Sequence, residues 1–208
     1  MCGVRRTIVL PLLLVSALGL TACGPAAPNL DSLGKTIVCL GDSITAGVGA
    51  QPGPPYPDLL AARLGTPVIN AGVSGDTAED GLARVDAALA ENPWLVIVEL
   101  GGNDILRRVP PERTEAALRS ILQRLIAART VPVLVELEVP FAGRYAEIYE
   151  RLGEEFKVPV VEDALHDILT DPALKSDQIH PNAQGYEQLA EAVADEVAPL
   201  IKAHRRPR

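Results

Sequence analysis

Ser43 stands in Gly41-Asp42-Ser43-Ile44-Thr45, directly after an apolar run, and Asp177 and His180 are three positions apart just ahead of the last helical segment. A hydroxyl, an imidazole and a carboxylate are the parts that acyl transfer needs. The hydroxyl attacks, the imidazole takes its proton, and the carboxylate holds the imidazole in the accepting tautomer. The short spacing has a physical reading. A turn entering a helix can set a carboxylate three residues back against Nδ1, which leaves Nε2 for Ser43. Pro181 restricts the backbone beside His180, and Asn182 is suited to cap the helix that follows.

A tetrahedral oxyanion also needs hydrogen-bond donors aimed at it. Three candidates stand beside glycines: the Ser43 amide, the backbone at Gly75 in Gly72-Val73-Ser74-Gly75-Asp76, and the Asn103 amide in Gly101-Gly102-Asn103-Asp104. Asp76 and Asp104 read as helix caps or loop braces. His166 reads as solvated on a short exposed helix, and His204 as part of a basic tail.

These clusters follow segments that read as strands: Thr36–Leu40, Pro67–Ala71 and Trp94–Leu100, with further strands at Val131–Val139 and Val158–Val161. Helical patterns lie between them at Pro57–Leu64, Thr77–Ala90 and Pro111–Arg129, and a last helix runs from 183 to 204. Leu118, Ile121, Leu122, Leu125 and Ile126 share one face of the third. Strand–helix alternation with nearly continuous apolar strands predicts a three-layer α/β/α domain. Its five-stranded parallel sheet is expected in flavodoxin-like order, 2-1-3-4-5. In such a sheet the strand ends share one edge, where ligands bind. Ile105, Leu106, Val109, Pro110, Pro140 and Phe141 follow the third and fourth strands and read equally as an acyl groove or as loop packing.

The chain has 208 residues, enough for one domain. A hydrophobic fraction of 48% is that of a globular chain, and 3% aromatic residues mean an aliphatic core. A net charge of -8 argues against nucleic acid as a partner. The scattered histidines lack metal-ligand spacing, so no metal is expected, and the glycines near Ser43 lack the lysine of a phosphate loop. No cofactor is implied, and the short aromatic-poor strands suggest a monomer.

Residues 1–22 read as an export signal. Arg5 and Arg6 precede an apolar stretch from Thr7 to Leu20, which at 14 residues is short for a membrane span. Leu20-Thr21-Ala22-Cys23 resembles a bacterial lipobox, which implies cleavage before Cys23 and its lipidation. Gly24 after the cysteine resembles an outer-membrane lipoprotein if the host is Gram-negative. Residues 23–34 read as a lipidated tether, 35–204 as the folded domain and 205–208 as a basic tail. Cleavage removes Arg5, Arg6 and Cys2, taking the charge to -10. Cys39 then remains alone in a strand, so no intrachain disulfide is expected.

The set of blocks resembles the SGNH (GDSL-type) hydrolase superfamily. The first block carries Ser43, the second Gly75, the third Asn103, and the last, Asp-x-x-His-Pro-Asn, carries Asp177 and His180. The strings NAGVSGDTAEDGLAR and VELGGNDILRR resemble its bacterial thioesterase, lysophospholipase and arylesterase branch. Gln178 departs from that branch, which often has glycine there. The resemblance implies a serine esterase that cleaves esters or thioesters through an acyl-enzyme on Ser43, working on small or lipid-like substrates at the cell envelope. A carbohydrate O-acetylesterase and a non-catalytic lipid-binding lipoprotein are the competing readings.

Overall fold

Strand segments apolar at nearly every position leave no face for water, so they must lie between two helical layers. The computed structural model, which describes residues 27–137 and 143–204, has that form. Its strands are β1 (Thr36–Gly41), β2 (Val68–Gly72), β3 (Pro93–Glu99), β4 (Val131–Val135) and β5 (Val160–Val161), all parallel in the order β2-β1-β3-β4-β5. The helices are α1 (Ser43–Ala46), α2 (Tyr56–Leu64), α3 (Ala78–Ala90), α4 (Gly102–Leu106), α5 (Pro111–Ala127), α6 (Ala146–Phe156), α7 (Ala164–Thr170) and α8 (Ala183–His204). α3 packs on α5, with α6 beside it, and α2 packs on α8, with α7 beside it.

Register carries the fold to the site. β1 pairs Gly41 with Gly72 of β2 and with Glu99 of β3, so three strands end at one level. All seven residues of β3 are buried. Truncating one of its large side chains, such as Ile97, to alanine costs about 2–5 kcal/mol. On α5, Leu118, Ile121, Leu122 and Leu125 are buried as one stripe. On α8, Tyr186, Leu189, Val193, Val197 and Leu200 do the same.

The strands are shorter than their apolar runs. β4 ends at Val135 rather than at Val139, which lies outside the described residues. β5 starts at Val160 because Pro159 has no N–H for the ladder; the Pro159 carbonyl accepts from Leu134 at 3.0 Å instead. α6 was not among the elements read from the sequence, although it buries Ile148, Tyr149 and Leu152 at helical spacing. Gly153 is there for packing: a Cβ would come within 2.6 Å of Val160 Cγ2.

Residues 27–34, expected as part of the tether, are docked at the amino edge of the sheet from Ala27 onward. Asn29 donates its side-chain N–H groups to the carbonyls of Ile126 and Thr130, at 2.9 and 3.2 Å. Asp31 pairs with Arg129, and the Lys35 N–H donates to the Asn92 carbonyl. His204 is likewise not a solvated tail residue. Its ring stacks on Trp94 with centroids 4.2 Å apart, and its Nδ1–H donates to the Leu30 carbonyl at 3.0 Å.

Candidate active site

Only Asp42 separates β1 from α1, so the chain turns sharply at Ser43. Gly41 makes the turn possible, since a Cβ there would meet Thr45 Oγ1 at 1.9 Å. Asp42 caps α1, its Oδ1 accepting from the Ile44 N–H at 3.0 Å. The Thr45 N–H is taken by Glu99 Oε2 and the Ala46 N–H by the Asp42 carbonyl. The Ser43 N–H meets no acceptor among the described residues and is left for a ligand.

His180 Nε2 lies 3.0 Å from Ser43 Oγ, and His180 Nδ1 lies 2.7 Å from Asp177 Oδ2. The pairing fixes the tautomer: Nδ1 carries the proton and Nε2 accepts from the serine hydroxyl. The other carboxylate oxygen of Asp177 accepts from the N–H groups of Ile179 and His180, at 2.8 and 2.9 Å. Partial burial works against ionisation of Asp177, but the ring and these amides outweigh it and hold its carboxyl below the usual value. The loop is braced in turn. Ser176 N–H donates to the His180 carbonyl, Lys175 bridges to Pro181, and Asn182 Oδ1 caps α8 at the Gly185 N–H.

The three glycine-flanked clusters do meet at this edge. Asn103 lies on α4, which follows Gly101 at φ +127, a conformation open to glycine. Both protons of its amide are engaged, one by Asp42 Oδ2 at 3.0 Å and the other by the Asp76 carbonyl at 2.9 Å. An oxyanion therefore takes this donor by sharing or displacing one of them. Gly75 sits on the turn after β2 at φ +91, with its carbonyl accepting from Arg107 Nη2 at 2.6 Å. Asp76 and Asp104 brace the edge. Asp104 accepts from the Ala78 N–H of α3 and from Thr114 Oγ1 of α5. Arg84 bonds Asp76 Oδ2 and also the carbonyls of Ala71 and Gly41, clamping the ends of two strands.

A cavity of about 510 Å³ opens over Ser43, Asn103 and His180. Ile105 and Leu106 line it, with Ile44, Leu137, Leu169 and Ile179. Val109 and Pro110 do not. After α4 the Val109 N–H bonds the Asp104 carbonyl and Arg108 turns at φ +56, which carries the chain toward α5 and Tyr145. Phe141 and Pro140 lie outside the described residues, as does Cys23. Leu169 and Lys175 also line it without having been singled out in the sequence, whereas Gln178, noted there only as a departure from the family branch, and Ile179 line it from between the acid and the histidine.

The sequence reading also passed over Glu99, although a lone acid inside WLVIVEL is a signal. It is fully buried. Its Oε2 accepts from Thr45 N and Oγ1, and its Oε1 meets no donor. Burial, and then the Asp42 carboxylate beside it, push Glu99 well above the usual carboxylate range. Burial raises Asp42 to about 6, against the lowering pull of the Ile44 N–H, His180 and the Asn103 amide. Burial therefore favours the neutral acid at Glu99, and its side chain in turn lowers Asp42. Both groups bind protons more tightly folded than unfolded, so they subtract stability as pH rises from about 4 through 6 and beyond. Glu99→Gln keeps the shape and a donor toward Asp42. Denaturant unfolding at pH 5 and pH 8 is expected to show a smaller loss of stability across that range for Glu99→Gln than for wild type. An unchanged loss would mean that Glu99 is ionised.

A parallel α/β/α sheet with a serine, a histidine and an acid aligned at its carboxyl edge defines a hydrolase of the serine class. The model of the GDSL-like Lipase/Acylhydrolase family matches residues 39–188, and the chain belongs to that family. It is similar to Thioesterase 1/protease 1/lysophospholipase L1 of Escherichia coli strain K12, at 39% identity, with 80% of this chain and 85% of that protein covered. It is 33% identical to Esterase TesA of Pseudomonas aeruginosa, with 80% and 90% covered. The crystal structure of TesA superposes with a TM-score of 0.73 at 34% identity, covering 79% of this chain and 99% of that one. The chain is an ester hydrolase of this fold.

Proposed function

We propose that Ser43 is the nucleophile of an acyl-enzyme mechanism, with His180 as its base and Asp177 as the group that orients His180. The observation that carries this reading is the line Ser43 Oγ, His180 Nε2, His180 Nδ1, Asp177 Oδ2, at 3.0 and 2.7 Å. Ser43 Oγ gives its proton to Nε2 and bonds to the carbonyl carbon of the ester. The oxyanion is met by the N–H groups of Ser43 and Gly75 and by the Asn103 amide. The imidazolium returns the proton to the departing alcohol or thiol, which leaves the acyl group on Ser43. Water then gives a proton to Nε2 and attacks the acyl carbon. Ser43 leaves with that proton, and the acid is released.

The substrates are acyl esters and thioesters of the kinds met by thioesterases, lysophospholipases and arylesterases. The apolar wall of Ile105, Leu106, Leu137 and Leu169 favours an acyl chain over an acetylated sugar. Leu106 is 55% exposed at this wall and can be changed without opening the core. Leu106→Glu is expected to lower kcat/KM for a nitrophenyl ester of an eight-carbon acid about tenfold or more, while the acetate ester changes little. Each buried CH₂ contributes about 0.8 kcal/mol, so a long chain has far more to lose. Equal losses on both esters would remove Leu106 from the acyl path. The protein is exported as a monomer and held at the cell envelope through a lipid on Cys23, the lipobox Leu20-Thr21-Ala22-Cys23 supporting this placement.

A further inference from the structure

We propose that the mouth of the cavity over Ser43 is a docking face for the surface of an anionic lipid assembly. Arg107 and Arg108 meet its headgroups, and Val73, Leu106 and Ile179 meet its apolar boundary. Passage of esters from that surface to Ser43 rests on the mechanism proposed above; the docking itself does not.

Two observations meet at this edge, and the first is charge. Arg107 and Arg108 stand exposed at the end of α4, next to Leu106. Among the described residues they form no ion pair, whereas every other described arginine is paired with a carboxylate. Arg107 Nη2 donates to the Gly75 carbonyl, which sets its guanidinium beside the turn after β2. The carboxylates of this edge are already engaged. Arg84 holds Asp76, Arg113 holds Glu79, Thr77 holds Asp80, and the His180 ring holds Asp177. The whole chain carries -8, so two unpaired guanidinium groups side by side are a local exception that attracts anions.

The second observation is apolar surface. Of the large apolar side chains left exposed among the described residues, Leu33 lies at the amino edge and the rest lie on segments leaving the carboxyl edge. Val48 follows α1, Val73 follows β2, Leu106 is on α4, and Ile179 lies between Asp177 and His180. Singly such residues need no explanation, but gathered around a cavity they mark an interaction site. Leu106 and Ile179 also line the cavity, so apolar surface continues from the rim to the interior. A soluble anion would meet the arginines and leave these side chains in water. A lipid surface meets both, its headgroups taking the guanidinium groups and its acyl boundary the apolar side chains. An acyl chain then enters the cavity without crossing water.

The chain from Cys23 onward carries every described residue. With Cys23→Ser no lipid contributes to binding, and with Ser43→Ala the binding is read apart from the chemistry. On phosphatidylglycerol vesicles bearing a nitroxide headgroup quencher, Val73→Trp is expected to be strongly quenched. Leu33→Trp, at the opposite edge, is expected to be little quenched, each read over the shared emission of Trp94. Should Val73→Trp disturb its turn, Ile179→Trp gives the same reading. Equal quenching at the two edges would overturn the orientation. Arg108 has φ +56, a conformation that aspartate tolerates. Each unit of charge near an anionic surface is worth roughly fivefold in affinity, so Arg108→Asp is expected to lower partition into these vesicles about 25-fold. Partition into phosphatidylcholine vesicles should not change. Equal partition of the two chains into phosphatidylglycerol would overturn the headgroup contact. Binding to dextran sulfate without partition into vesicles would overturn the proposal in favour of a soluble polyanion. With Ser43 restored, Arg108→Asp should slow hydrolysis of a long-chain ester held in phosphatidylglycerol vesicles and leave hydrolysis of a dissolved acetate ester unchanged. Equal loss on both would overturn delivery from the surface. Vesicle binding with no activity on either ester in the chain that keeps Arg108 would instead count against the mechanism at Ser43.

Discussion

Ser43→Ala is expected to lower kcat for a short nitrophenyl ester by roughly 10⁴–10⁶-fold while the domain stays folded. The size follows from what is lost. Without Oγ there is no acyl-enzyme, and His180 Nε2 faces a methyl group where it had a hydroxyl at 3.0 Å. The remaining rate comes from the oxyanion donors acting on water. Folding is insensitive because Ser43 is half-buried and, among the described residues, its Oγ bonds His180, whereas the cap of α1 depends on Asp42 and Glu99. A fluorophosphonate probe should label wild type and not the variant. A thermal midpoint close to that of wild type would show that the loss is chemical. Retention of a tenth or more of the activity would transfer the nucleophile to another residue.

Asn103→Ala carries the second largest effect. The loss of one oxyanion donor costs about 10²–10³ in rate. Here the amide is also the brace between Asp42 Oδ2 and the Asp76 carbonyl, so its removal loosens the turn at Ser43 as well. The loss should fall on kcat, with KM changed by less than about threefold, since the donor acts on charge that forms after binding. A loss confined to KM would mean that Asn103 only positions substrate. Asn103→Asp separates the two duties. An aspartate cannot donate to Asp42 or to an oxyanion, so it should be at least as slow as alanine.

Much of the site was legible because its residues are held by short-range rules. Asp177 and His180 are bonded within one turn, and three positions of spacing are enough to foresee that. The convergence of Ser43, Gly75 and Asn103 follows from strands that are apolar throughout, which must be parallel and must end at one edge. What was not legible depends on the path of the chain after an element ends. Val109 and Pro110 looked like neighbours of Leu106, but after the turn at Arg108 neither lines the cavity. Lys175 and Leu169 reach the cavity from α7 and its following turn, whose seven and three residues are too few to show a period. His204 sits at the start of an arginine-rich string, and nothing in that string announces Trp94, 110 positions away, as its stacking partner. Arg84 presents the same problem. On α3 it is simply one charged residue of a helix, and its bonds to Asp76 and to the carbonyls at the ends of β1 and β2 exist only once the sheet is complete.

The Tyr186 hydroxyl of α8 donates to the Val48 carbonyl at 2.7 Å, joining the last helix to the segment just after Ser43. The nucleophile belongs to the first strand–helix turn and its base to the loop before that last helix, 137 positions later. A ribosome releases the serine early and the histidine late. Through that interval the growing chain holds a serine with no base, so it cannot cleave esters by this route before the chain is nearly complete. Hydrolytic competence begins when α8 closes the domain, and the appearance of activity during synthesis therefore reports that the chain through α8 has been made and folded.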